Sequence, residues 1–464
     1  MRRILNSYLI YIALLCSLSL YSQQGITYND FIENVKANNP LAGKASNVRE
    51  LGVAQYKAAR GSYDPVISSL IENKHFENKN YYTAAFAEIK QPVFSSHYLK
   101  AGYQYGSGPF LNPEKVTPVA GLPYLGVEAN LLQGLVIDKR RTDLLKGRYY
   151  AEFYNAEEKI QMNDLLYASS LSYFNYIYTL KVNSLFRYFE RLAKERLNGI
   201  NALSIAGERP AVDTIEAAIY YQSRQLDKQA SEVERSKYSN QLNVFFKSKS
   251  PDASLPFTIT DSIEQVYDLC KNNFTMLLAA NTINPELTQY NAKQNILNIE
   301  SRFKREMIKP VLTVNYNFLS AAPDNGISYF NQNNYKWGAT FSFPLFVRKS
   351  LNEYRMAVIQ GETNSLEQLN KQNEISFKRQ TIIQTLEITV QQIMNAEKSS
   401  NYCKLLVEAE RLKFTNGESS LFLLNARENK WLEAELKLVE YKLKFIQTVI
   451  ELIHNDGSLN YQLR

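Results

Sequence analysis

Two stretches of this chain, Gly134 to Ile205 and Leu345 to the C-terminus, contain no proline and carry core-type side chains at seven-residue intervals. This restricts the fold more than any other feature, because a sustained heptad demands long helices packed side by side. In the first stretch Phe153, Ile160, Tyr167 and Phe174 recur beside Leu171, Tyr178, Leu185 and Leu192. In the second, Ile375, Ile382, Thr389, Ala396 and Cys403 recur beside Leu386, Ile393, Ser400 and Val407. A helix over the whole first stretch would extend roughly 108 Å at ~1.5 Å per residue, several times the width of a small domain. Each rod is interrupted once and then returns. One break is Ala206-Gly207-Glu208-Arg209-Pro210, with Asp213 placed to begin the next helix; the other is Asn416-Gly417-Glu418-Ser419-Ser420, with serines suited to capping. Both predict antiparallel helical hairpins.

The rods belong to a module that occurs twice. Asn39-Pro40 opens a helical stretch to Asp64-Pro65 and then a strand-like run, and Asn284-Pro285 opens one to Lys309-Pro310 and then another. Pro65 follows Pro40 by the same interval at which Pro310 follows Pro285. The strands alternate with period two. Leu312, Val314, Tyr316 and Phe318 interleave with Thr313, Asn315 and Asn317, and Trp337, Ala339, Phe341 and Phe343 with Lys336, Gly338, Thr340 and Ser342. Leu99, Ala101, Tyr103 and Tyr105, and Leu125, Val127, Ala129 and Leu131, repeat the pattern in the first half. One face is apolar and the other polar; segments 66–76 and 82–91 alternate less cleanly. The first half therefore has room for four strands where the second has two. Tyr98, Tyr103, Tyr105, Tyr124, Tyr316, Tyr329 and Tyr335 fall on or beside strands and suit a membrane-interface girdle.

The N-terminus sets the compartment. Arg2 and Arg3, the apolar run Leu9 to Leu20 and then Ser22 read as a secretory signal peptide, shorter than the ~20 apolar residues that span a bilayer. An exported chain without a further apolar span is soluble or a β-barrel, since only helices and closed barrels satisfy every backbone group in lipid. The expected divisions are a signal peptide at 1–22, a first repeat at 23–247, a linker at 248–261, a second repeat at 262–455 and a C-terminal tail at 456–464. The 53 Lys plus Arg and 46 Asp plus Glu, a net charge of +7, form no dense basic cluster, so nucleic acid is not an expected partner. His75, His97 and His454 lie far from one another and from the cysteines, so no metal-ligand spacing arises. No nucleophile elbow, phosphate loop or zinc-protease helix occurs; neither an enzyme nor a cofactor is expected. Cys270 and Cys403 read as buried free thiols.

Taken in order, these residues resemble the TolC-like outer-membrane efflux and secretion channels, over nearly the whole chain from Tyr28 to Asn455. The carriers are the Asn39-Pro40 and Asn284-Pro285 openings, Pro65 and Pro310, and the passage Ser342-Phe343-Pro344-Leu345-Phe346. The first-half counterpart of that passage runs from Asn130 to Arg141. A tip motif places Gly207, Asp213 and Ala217 in the family's order. The second tip departs from it, with Leu423 where an Asp would stand after Gly417.

The resemblance implies a mixed α and β membrane protein: a trimeric transmembrane β-barrel continued by a long antiparallel coiled-coil helical barrel in the periplasm, internally duplicated. Its expected place is the outer membrane of a Gram-negative bacterium. Its expected partners are outer-membrane lipid, two further copies, a periplasmic adaptor and, through the adaptor, an inner-membrane transporter. Adaptor contacts at the periplasmic tips are carried over to Gly207, Asp213, Ala217, Arg411, Gly417, Glu418, Ser419 and Leu421, with Asn425, Arg427 and Glu428 as further contacts. Arg209, Glu408 and Glu410 are gate candidates, for which an ordinary solvated helix face is the competing reading. If residues 82–106 stay outside the wall, three chains supply the family's usual twelve strands; if they join it, the barrel is wider. The competing function is an exported coiled-coil structural protein or adhesin without transport activity.

Overall fold

The computed structural model describes residues 25–246, 258–279, 283–321 and 329–459. The expected signal peptide, most of the expected linker and the end of the tail lie outside them. In chain order the elements are β1 (Gly25–Ile26), α1 (Tyr28–Asn38), α2 (Pro40–Gly61), β2 (Val66–Phe76), β3 (Lys79–Phe94), β4 (His97–Ser107), β5 (Leu122–Asn130), α3 (Lys139–Ile205) and α4 (Ala211–Phe245). Then follow β6 (Thr258–Ile259), α5 (Ile263–Ala279), α6 (Pro285–Glu306), β7 (Val311–Ala321), β8 (Tyr329–Ser342), α7 (Arg348–Thr415) and α8 (Leu421–Asn455). Helix lengths match between the halves: 22 residues in α2 and α6, 67 and 68 in α3 and α7, and 35 in α4 and α8. No helix among the described residues is long and apolar enough to cross a membrane.

The chain divides into two compact units. One comprises the described residues up to Lys44, Ile160–Asn284, and those from Ile375 onward. Its core gathers Phe31, Leu166, Tyr173, Leu242, Ile263, Leu386, Ile393, Phe445, Ile446 and Ile450, and the short parallel pair β1·β6 lies in the same unit. Of the second-half heptad, Ile382, Leu386, Thr389, Ile393, Ser400 and Val407 are buried, and Ile375, Ala396 and Cys403 are half-buried. The first-half heptad is met only in part. Phe174 is buried, but Phe153, Ile160, Tyr167, Leu171, Tyr178, Leu185 and Leu192 are half-buried, and α3 also buries Asn163, Leu166, Ser170, Tyr173 and Ile177, which lie off the predicted seam. A helix packed on several sides buries a wide arc, and small hydroxylic residues allow the closest approaches, so apolarity alone does not mark its seam. Cys270 and Cys403 are free and half-buried rather than buried; burial pushes the Cys270 thiol up to about 12.

The Asn-Pro pairs have the same local role in both halves. Each proline takes the first position of its helix, where its missing N–H costs nothing. The Asn39 amide donates to the carbonyl of Phe245, the last residue of α4, at 3.1 Å, and the Asn284 amide to that of Asn455, the last residue of α8, at 2.9 Å. Each asparagine thus satisfies a carbonyl that the end of a long returning helix would otherwise leave without a partner.

The second unit comprises Ala45–Lys159 and Pro285–Glu374. Its helices approach closely: a Cβ added at Gly52 of α2 would lie 2.8 Å from the Tyr154 Cβ of α3. Its sheet has six strands in the order β2-β3-β4-β5-β7-β8, every neighbouring pair antiparallel. Residues 66–76 and 82–91, the weakest strand candidates in the sequence, lie in its full-length strands β2 and β3. Pairing carried them where alternation did not, since Ser68, Ser69 and Glu72 interrupt the apolar pattern of β2. Pro92 sits beside the bulge before the β3–β4 turn, where a missing ladder donor is tolerated.

Candidate functional site

Register gives the sheet two different faces. Ile67, Ile89, Ala101, Leu125, Phe318 and Tyr335 stand opposite one another in turn, so one apolar row crosses all six strands. Leu99, Val127, Tyr316 and Trp337 form a second apolar row across four of the strands, β4, β5, β7 and β8, which ends at Gln91 on β3. The intervening residues make a charged face. Glu128 accepts from Lys90 at 2.9 Å and Lys100 at 3.3 Å, and the Tyr124 hydroxyl donates to Glu88 at 2.6 Å. The Lys90 ammonium and the Arg140 guanidinium lie 4.0 and 4.3 Å from the Tyr98 ring centre. Tyr98 and Tyr124, grouped in the sequence with the girdle tyrosines, therefore belong to the charged face, whereas Tyr103, Tyr105, Tyr316 and Tyr335 share the apolar one. Opposite-charge pairs across strands become visible only once register is known, so the Lys90–Glu128–Lys100 cluster left no signal in the sequence.

In the helical unit both turnarounds close the same way. Gly207 and Gly417 have φ of +79° and +77°, the left-handed conformation that glycine adopts without a Cβ penalty. The Gly207 amide reaches the Ser204 carbonyl and that of Glu208 the Leu203 carbonyl, matched by Gly417 to Phe414 and Glu418 to Lys413. These are Schellman closures. Ser420 caps α8 by accepting from the Leu423 amide, whereas Pro210 occupies the N-cap position of α4 without a side-chain hydrogen bond and Asp213 lies in the first turn, 3.9 Å from Arg209.

The two tips meet through Arg209, which donates to the Phe414 carbonyl at 3.3 Å and lies over the Phe414 ring. Ala217 and Leu421, each 2% exposed, pack with Ile200 in a small apolar cluster instead of facing outward. Glu410 is buried and accepts from Ser419, with Arg427 alongside, whereas Glu408 is exposed.

Four helices converge on Glu428. Its carboxylate, 0% exposed, receives Arg196 of α3, Arg411 of α7 at 3.4 Å and the Tyr220 hydroxyl of α4 at 3.4 Å. Asn425, also buried, accepts from Arg196 at 2.7 Å and donates to Glu216 at 3.3 Å. Burial first, and then the Glu428 charge, raise the Tyr220 phenol well above its ordinary range. Asn425 and Glu428 are therefore interior ties, not the surface contacts that the sequence suggested. The signal was present: Asn425 heads the buried seven-residue series Leu432, Val439, Ile446 and Ile453, and a polar residue on such a seam fixes which partners fit. Tyr220 and Glu216 escaped because their partners lie on other helices. Among the described residues no three His, Cys, Asp or Glu side chains come together in a way that could hold a metal ion.

No family model matches the sequence, and no curated protein matches it either. Solved structures do share the arrangement. The Campylobacter jejuni CmeC outer membrane channel aligns with a TM-score of 0.64 at 13% identity, over 92% of this chain and 85% of its own. The open state of the Neisseria gonorrhoeae MtrE outer membrane channel gives 0.62 at 14% identity, over 95% and 93%. The Vibrio cholerae outer membrane protein VceC gives 0.56 at 12%, over 93% and 96%. This chain has the fold of these outer-membrane proteins. At such low identity the likeness is one of fold, and it agrees with the resemblance carried by the Asn-Pro pairs and the tips.

Proposed function

We propose that the chain is the outer-membrane channel of a tripartite efflux or type I secretion system: a passive exit duct for substrates that an inner-membrane pump and a periplasmic adaptor deliver. The two-faced sheet carries this reading. An apolar row across all six strands, with a second across four of them, on one side and a hydrogen-bonded charged set on the other suit a barrel wall with lipid outside and water within. The charged set would then line the bore and set its ionic preference.

A homotrimer is supported by Val212, Ile219, Leu226 and Val233 of α4, which are exposed and recur every seven residues as a coiled-coil seam does. Further copies of the chain would cover that seam. The matched helix lengths of the two halves support a duplicated module. On this reading the helices lie in the periplasm of a Gram-negative cell, with the tips at Gly207 and Gly417 presented to the adaptor. The Glu428 convergence ties both hairpins together there, with Arg209 and Glu410 adding contacts, and so resists opening of the tips.

Reconstitution of the purified mature chain into planar lipid films tests the proposal. Discrete conductance steps, with current proportional to voltage, are expected. A water-soluble polypeptide that neither enters lipid nor conducts would overturn it in favour of an exported coiled-coil rod.

A further inference from the structure

Resting on the duct reading, the sheet bears on how wide the duct is. β3 and β4 stand in hydrogen-bonded order between β2 and β5, and β2 makes no pairing with β5. Both faces continue across the inserted pair. Ile89 and Ala101 extend the apolar row from Ile67 to Leu125, and Lys90 and Lys100 share Glu128 on the charged face. A hairpin lying against the outside of a wall would share neither row.

The β3–β4 turn is also fastened. Ser95, buried and with φ of 44°, donates through its hydroxyl to the Gly134 carbonyl at 2.6 Å, and its own carbonyl accepts from Arg140 at 2.9 Å. Ser96 donates to Asp138 at 3.4 Å. Two strands are thus stapled to the passage that leads into α3, although no helix continues from their turn.

The sheet ends in two free edges, on β2 and β8. Ile67, Leu70 and Ile71 are exposed on β2, as are Trp337 and Phe341 on β8. An open edge cannot persist in lipid, where each unpaired backbone group goes unsatisfied. Because an all-antiparallel sheet of six strands begins and ends in opposite directions, β8 of one copy meets β2 of another antiparallel. This pairing is head-to-tail, and it closes into a ring of identical copies.

We propose that each copy places all six strands in the barrel wall, so that three copies build an eighteen-stranded barrel instead of the twelve that the sequence resemblance implies. At ~4.8 Å between strands and ~40° of tilt, the backbone diameter rises from about 24 Å to about 36 Å. The cross-section roughly doubles, into the strand range of water-filled porins. The bore thereby admits bulky hydrated cargo, and its narrowest point moves to the helical part.

Disulfide trapping in the full chain, purified and reconstituted in lipid, provides the test. Ser69→Cys with Ala87→Cys, directly opposed on β2 and β3, should close within one chain and leave conductance unchanged. Ser69→Cys combined in turn with a cysteine at Tyr335, Trp337, Ala339 or Phe341 should yield covalently joined trimers at one of these positions. Closure of Ser69→Cys onto a cysteine at Pro123, Leu125 or Val127 of β5 in place of Ala87→Cys would overturn the proposal, since it puts the hairpin outside a twelve-stranded wall. Efficient closure of the expected pairs without any conductance would support the wall and count against the duct reading instead.

Discussion

Glu428 joins four helices of the helical unit through one buried carboxylate. A carboxylate with no exposure is tolerable only while its cationic and hydroxyl partners replace the water it has lost. Glu428→Ala should cost about 3–5 kcal/mol, because it leaves Arg196 uncompensated in the interior. Glu428→Gln keeps the shape and one acceptor and should lose less. Thermal melting followed by helical circular dichroism checks this, and an alanine variant melting with the parent would show that the convergence carries no stability. The same Glu428→Gln protein, tested in lipid films, should conduct more readily if the convergence also holds the tips closed.

Among elements, the long helices depend on how their ends are finished. Asn39 and Asn284 each give one amide hydrogen to the final carbonyl of a 35-residue helix, and Asn39 also accepts from the Leu41 amide at the start of α2. Replacing either asparagine by alanine should cost about 0.5–2 kcal/mol, the range for losing a side-chain cap. The effect should be local. Faster amide hydrogen exchange is expected in the last turns of α4 for Asn39→Ala and of α8 for Asn284→Ala, with the middle of each helix unchanged. Equal exchange throughout would reduce the motif to a proline-driven helix start.

For the whole molecule, assembly covers what one chain leaves bare. The α4 seam of Val212, Ile219, Leu226 and Val233 is exposed in the single copy, and each such side chain gains about 1.5–3 kcal/mol on full burial. Charging its centre with Ile219→Glu and Leu226→Glu should shift the particle from trimer to monomer in native mass spectrometry from detergent, with helix content retained. A trimer that survives both charges would place the copy interface elsewhere.

Much of this architecture is carried by local chemistry and was therefore legible in the linear sequence. Proline-free heptads, glycines at the two turnarounds, Asn-Pro helix starts and period-two strands depend on neighbours a few residues apart, and the observed elements follow them. Long-range partnership is not so encoded. The insertion of β3 and β4 between β2 and β5, the meeting of Lys90, Lys100 and Glu128, the move of Tyr98 and Tyr124 to the charged face, and the burial of Glu428 among four helices each join residues far apart in the chain. A strand's register or a helix's rotation inverts which side chains are hidden without changing a single local preference, and so only the packed structure decided them.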